Sequence, residues 1–188
     1  METYGYQRGN PLGRSIDRDS MHKVRLRVAV GFALALVNSA CLSTFLGTGE
    51  TRSREYKLPT PGQGWEAIDP AEADSAFRNK VDRAILNVSS ICGEEKYRSL
   101  EDLTSDVLKQ LPQNTIVVPS RPVNAGGHPG LVTEASGTVD GEGLSVRVAV
   151  IRTSKCIYDI LLAGKKLDAS SRLAFDAAVE GFSDGLDR

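Results

Sequence analysis

The side chains with the most chemistry in this 188-residue chain are three cysteines, Cys41, Cys92 and Cys156, and two histidines, His22 and His128. Cys41 follows the small residues Ser39 and Ala40, the surroundings a signal peptidase needs next to a scissile bond. Cys92 closes an apolar run over residues 84–92 and Cys156 opens another over 156–163, so neighbouring antiparallel strands would bring these two sulfurs together. The chain has no CxxC or HxxxH spacing, and His22 lies in a basic N-terminal stretch, so a metal site is not expected. His128 sits in the glycine-rich stretch NAGGHPG (124–130), which lacks the Lys-Ser/Thr of a phosphate-binding loop and is followed by a strand pattern rather than a helix. As a base for Ser120 or Ser136 it would need an orienting acid, and none is evident. Glu101, Asp102 and Asp106 open an amphipathic stretch, where acids normally face solvent. The expectation is no catalytic residue, no metal ligand and no cofactor.

Residues 21–41, MHKVRLRVAVGFALALVNSAC, have the three-part order of an export signal: Lys23, Arg25 and Arg27, then about ten mostly apolar residues, then small residues before a cysteine. The segment resembles a bacterial lipobox, with Asn38 where the usual pattern has an aliphatic residue. That resemblance implies cleavage before Cys41, a diacylglycerol thioether and palmitate-type acyl chains on Cys41, and a membrane partner reached through that lipid. Leu42 is not the Asp that retains enteric lipoproteins at the inner membrane, which implies the outer membrane, facing the periplasm. Two other readings remain open. The general signal peptidase could release a soluble protein, or the uncharged residues 28–47 could stay as an uncleaved span, about 20 residues being the required length. Residues 1–20 are polar and unpatterned, as an over-long start before Met21 would be.

Of the 23 Lys and Arg, six lie in residues 1–40, and of the 24 Asp and Glu, three do, so the remainder carries a formal charge of −4. This balance, without a basic stripe, argues against a nucleic-acid partner. About 148 residues are left, enough for one domain with a real core. With Cys41 assigned to lipidation, Cys92 and Cys156 remain as a pair in a compartment where disulfides persist, and a bridge is expected; two buried thiols are the alternative.

The elements that must position these residues follow from periodicity. Residues 41–55 read as the lipidated N-terminus and a flexible linker, 56–182 as a single domain, and 183–188 as a tail. Tyr56 starts a short edge strand and Trp65 a second, with its indole in the core; residues 84–92 form a strong strand with Ser and Asn at alternate positions. Ser99 caps a helix whose Leu100, Leu103, Val107, Leu108 and Leu111 make one stripe, ended by Pro112. Strands are expected over 115–118, 131–139, 144–152 and 156–163. A final helix capped by Asp168 or Ser170 should place Leu173, Ala177, Val179 and Phe182 against the sheet.

This order is α+β, an antiparallel β-sheet flanked by two α-helices. From Trp65 through the strand at 84–92, the Leu100 to Leu111 helix, the hairpin strands and the helix closing at Phe182, residues 56–182 resemble the PsbP-like α/β/α sandwich, which includes DcrB-like envelope lipoproteins. The resemblance implies a non-catalytic accessory or binding subunit of a membrane-associated complex with an envelope protein partner; it does not name a ligand. A periplasmic carrier of a small molecule or lipid is the first alternative, marked by an enclosed apolar cavity. A small periplasmic hydrolase is the second, marked by His128, a serine and a carboxylate of shifted pKa in one pocket.

Overall fold

Residues whose apolar side chains recur at alternate positions become paired strands over nearly half of the described chain. The computed structural model describes residues 52, 53 and 55–185; the signal segment 1–40, Cys41 and most of the linker lie outside the described residues. The strands are β1 (Tyr56–Lys57), β2 (Trp65–Ile68), β3 (Ser75–Asn79), β4 (Ile85–Cys92), β5 (Thr115–Ala125), β6 (His128–Val139), β7 (Glu142–Arg152), β8 (Cys156–Gly164) and β9 (Ser183–Asp184), and the helices α1 (Leu100–Lys109) and α2 (Ala169–Glu180). Seven strands form one sheet in the order β2-β3-β4-β8-β7-β6-β5, every pair antiparallel. β1 and β9 pair separately, and Ser53 donates its N–H to Ser90 Oγ at 2.8 Å, so contacts continue past 56 and 182 at both ends.

Period-2 alternation gives the sheet two apolar faces, each closed by one helix. On the first, Ala135, Val146, Val148, Val150, Ile157 and Leu161 meet Leu103, Leu108 and Leu111 of α1 and its C-terminal turn. Ser99 caps α1, its side chain accepting from the Asp102 N–H at 3.0 Å, as the cap-plus-acid pattern requires. A Cβ on Gly137 would lie 2.5 Å from Leu111 Cγ and 2.8 Å from the Pro112 carbonyl oxygen, so glycine there lets the end of α1 sit directly on β6. On the second face Leu86, Val88, Ile151, Tyr158, Ile160 and Leu162 pack under Phe175, Ala178, Val179 and Phe182. Trp65 packs against this second cluster, as expected of a core anchor.

Two expectations need correction. The closing helix buries Val179 and leads into buried Phe182 as expected, but Leu173 is 68% exposed and Ala177 is exposed, and Phe175 and Ala178 are buried in their place. Asp168 caps the helix, its carboxylate accepting from the Ser171 N–H at 2.7 Å, and Ser171, Phe175, Ala178 and Phe182 recur at helical spacing on the buried side. The strand expected over 115–118 runs on to Ala125, with two register shifts and with Pro119 and Pro122 on this sheet edge, where a missing N–H costs no ladder bond. The glycine-rich stretch turns a tight hairpin between this strand and the next, with Ala125 opposite His128 and positive φ at Gly126 and Gly127.

Glu134 and Arg172 tie α2 to the sheet. Glu134 is buried on β6 and accepts from both terminal nitrogens of Arg172, at 2.7 Å through Nη2. The Arg172 hydrogen bonds hold the Glu134 carboxyl below its ordinary value of 4.5. A lowered pKa in the folded state means the pair stabilises fully above pH 4.5 and less as pH falls through the folded value. Glu134→Gln is therefore expected to cost roughly 1–2 kcal/mol at neutral pH, a figure kept modest because the guanidinium is partly exposed, and to flatten the loss of stability in acid. Denaturant titrations of both proteins at pH 7 and pH 3.5 check this.

Candidate functional site

β4 and β8 are 64 residues apart at their closest bridged positions yet run side by side, and their register places Ser89 opposite Asp159, Asn87 opposite Leu161 and Cys92 opposite Cys156. Ser89, Asn87 and Asp159 all point to the first face, on the side of α1. There they floor a cleft of about 40 Å³, walled by Leu103 and Val107 of α1 and by Ile91, Ile157 and Leu161 of the sheet. Arg98, Asp106 and Gln110 form its remaining border.

The polar groups of this cleft differ in how they are satisfied. Asp106 accepts from Lys109 Nζ at 2.8 Å and from the Arg98 guanidinium, and these bonds hold its carboxyl below the ordinary range. Arg152, on the same face of β7, turns its guanidinium to the Arg98 carbonyl. Asp159 is different. Its Oδ1 is buried without a hydrogen-bond partner, as is Ser89 Oγ, and burial pushes the Asp159 carboxyl up to about 7. An acid whose pKa is raised on folding is stabilised as the neutral form, so the penalty is absent below its ordinary 3.8 and grows until pH 7. Asp159→Asn is expected to raise stability by about 1–3 kcal/mol at pH 8, with a gain that shrinks toward pH 4, because the amide removes the charge but not the buried polar atoms. Thermal melts of the two proteins across that range check it.

The residues singled out from the sequence fall in several places. Cys92 and Cys156 are joined by a disulfide between directly opposed positions, with Cα atoms 4.0 Å apart. His128 stacks edge-on against Phe182, 6.2 Å between ring centres, on the second face. Ser120 Oγ lies 2.6 Å from Thr133 Oγ1. Asp159 belongs to the opposite face, and His128 lines neither the Asp159 cleft nor the concavity that holds Asp74, the two places where a carboxyl is raised by burial. Among the described residues no three His, Cys, Asp or Glu side chains gather as a metal site would require. Asp159, Ser89 and Asn87 were missed as a group; the available signs were a lone acid inside the apolar run 156–163 and the polar residues at alternate positions of 84–92.

None of the protein-family models matches the chain, and no curated protein is similar enough in sequence to count as a match. Solved structures do resemble it. LpqN of Mycobacterium tuberculosis, described as involved in cell envelope biogenesis, has a TM-score of 0.52 at 14% identity, covering 73% of this chain and 86% of that one. A Bacteroides thetaiotaomicron protein has a TM-score of 0.50 at 10% identity over 69% of this chain, which spans only 45% of that longer one. PA94 of Pseudomonas aeruginosa, a protein of unknown function, has a TM-score of 0.43 at 15% identity, covering 72% and 84% of the two chains. The likeness to LpqN is one of fold, α+β with a mostly antiparallel sheet and two helices.

A second concavity, about 650 Å³ and open, lies on the other face and holds the start of the described chain. Tyr158 donates to Ser53 Oγ at 2.8 Å, Tyr56 and Ser75 hydroxyls lie 3.1 Å apart, and Arg52 pairs with Asp74 at 3.5 Å. Burial raises the Asp74 carboxyl above its ordinary value despite hydrogen bonds from Ser90 and Arg52. These contacts fasten Arg52, Ser53 and Tyr56 onto the domain. No helix of the described residues is long and apolar enough to cross a membrane.

Proposed function

We propose that this protein is a non-catalytic, lipid-anchored cell-envelope protein, exported by residues 21–40, acylated at Cys41 and serving as an accessory or binding subunit of a membrane-associated complex. In this reading residues 56–182 are a PsbP-like sandwich, held near the outer membrane and facing the periplasm. The observation that carries it is the Cys92–Cys156 bridge, a bond that persists in oxidising compartments, in a chain whose residues 21–41 read as a lipoprotein signal. The fold likeness to LpqN, a protein described as involved in cell envelope biogenesis, supports the same reading. A hydrolase built on His128 has less support, because His128 lines neither the cleft of Asp159 nor the concavity of Asp74.

The experiment is membrane fractionation of the wild type and Cys41→Ala in a bacterial host. The wild type is expected in the membrane fraction, extracted by detergent and not by salt, and Cys41→Ala either retains its signal segment or leaves that fraction. Recovery of both proteins from the cytosol would overturn the proposal.

A further inference from the structure

The floor of the first-face cleft carries three side chains that can accept hydrogen bonds on adjacent register positions: the Asp159 carboxylate, the Ser89 hydroxyl and the Asn87 amide oxygen. Asp159 Oδ1 and Ser89 Oγ are buried and unpartnered, and Ser89 is only 8% exposed. A buried carboxylate is costly unless a cation or donors complete it. The charged groups that face Asp159 do not do so. From β7, Arg152 gives one terminal nitrogen to the Arg98 carbonyl, and its Nε is buried and makes no hydrogen bond to Asp159; Arg98, ahead of α1, and Lys109 are on Asp106; from β3, Arg78 is on Glu66. The side chain that Asp159 lacks is therefore a donor brought from outside.

Size and wall chemistry narrow its identity. About 40 Å³ holds roughly three water-sized groups, room for an ammonium head and the first carbons behind it, with the rest of an alkyl stem running out through the mouth. A primary ammonium has three donors and no acceptor, matching three acceptors. Ile91, Val107 and Leu161 give the methylene stem an apolar wall, the way a lysine stem normally lies along apolar surface while its head finds a polar partner.

We infer that the cleft is a recognition site for a primary alkylammonium group, supplied by a lysine side chain of a partner protein or by a small free amine. This rests on the reading of the protein as a binding subunit. Binding of the cation pulls the Asp159 proton off, so the site strengthens with pH while the ammonium itself stays charged.

The test uses the folded disulfide-bonded domain within the full chain and follows the Asn87 side-chain amide and the Ser89 and Asp159 backbone amides by NMR. The probes are n-butylamine and Nα-acetyl-lysine methylamide, with n-butanol and tetramethylammonium as controls. Both amines are expected to shift these resonances with millimolar affinity, about tenfold more weakly at pH 6 than at pH 8, as a carboxyl titrating at about 7 requires. The controls leave them unmoved and Asp159→Asn loses the response. Tighter binding of the lysine derivative assigns the site to a partner protein; tighter or equal binding of butylamine assigns it to a free amine. Absent shifts, equal binding of butanol, or affinity that does not rise with pH in the wild type would overturn the inference, and the wild-type pH series decides the matter whether or not Asp159→Asn folds. Failure here with Cys41 acylated removes the ligand and leaves the envelope reading; binding here in a chain retained in the cytosol does the reverse.

Discussion

Replacing both Cys92 and Cys156 by alanine is expected to destabilise the domain by roughly 4 kcal/mol and to lower its melting temperature by about 15 °C. The bridge joins residues 64 apart in sequence, and in the chain-entropy description most of this effect comes from the freedom an unbridged unfolded chain recovers. Its location adds to the effect. β4 is the strand through which β2 and β3 attach to the β8-β7-β6-β5 half of the sheet, so the disulfide fastens the seam between a part made early in the chain and one made late. Alanine is the suitable replacement because Cys156 is buried among Tyr158, Ile160 and Leu86, where a serine hydroxyl would add a cost of its own. Urea titrations of the oxidised and alanine proteins measure the difference. A loss below about 1 kcal/mol would mean that the bridge contributes nothing the sheet does not already provide.

Phe175→Ala is expected to cost about 3–5 kcal/mol, whereas Leu173→Ala, two residues away on the same helix, should change stability by less than about 0.5 kcal/mol. Phe175 is fully buried under α2, and the guanidinium of Arg147 lies 4.9 Å from its ring centre while also pairing with Asp176 at 2.9 Å. Removing the ring therefore opens a cavity in the second-face core and strips an arginine of its aromatic partner. Leu173 is exposed, and its truncation leaves no void. A larger loss for Leu173→Ala than for Phe175→Ala would contradict this packing and place Leu173 inward, as its sequence suggested.

The contrast shows which features local pattern can carry. α1 was legible because cap, first-turn acids, stripe and Pro112 agree, and the structure keeps Ser99 as cap and Leu103 and Leu108 as buried knobs. β4, β6, β7 and β8 were legible for the same reason, since β-branched and aliphatic alternation is strong in each. β3 was not: Ser-Ala-Phe-Arg-Asn has only one large apolar residue, and it is held as a strand by pairing between β2 and β4 rather than by its own composition. The inward face of α2 was read only in part, because Leu173 and Ala177 form one helical pair and Val179 with Phe182 another, and packing against the sheet buries only the second.

The candidate site divides in the same way. The cysteine pair could be anticipated because a thiol has few roles in a chain whose N-terminus reads as an export signal, and each cysteine sat at the end of an apolar run. The cleft could not, since an aspartate, a serine and an asparagine acquire a joint meaning only when β4 and β8 align in one register and α1 covers their neighbours. His128, the residue a reader of the sequence would single out first for catalysis, is instead beside Phe182 at a hairpin end.

The central claim is export to the cell envelope with acylation at Cys41, and intact and peptide mass spectrometry of the protein from native membranes, under non-reducing conditions, tests it most directly. The expected result is a chain beginning at Cys41 with two or three acyl chains and a peptide linked through Cys92 and Cys156. A chain retaining residues 21–40, with all three cysteines as free thiols, would contradict it.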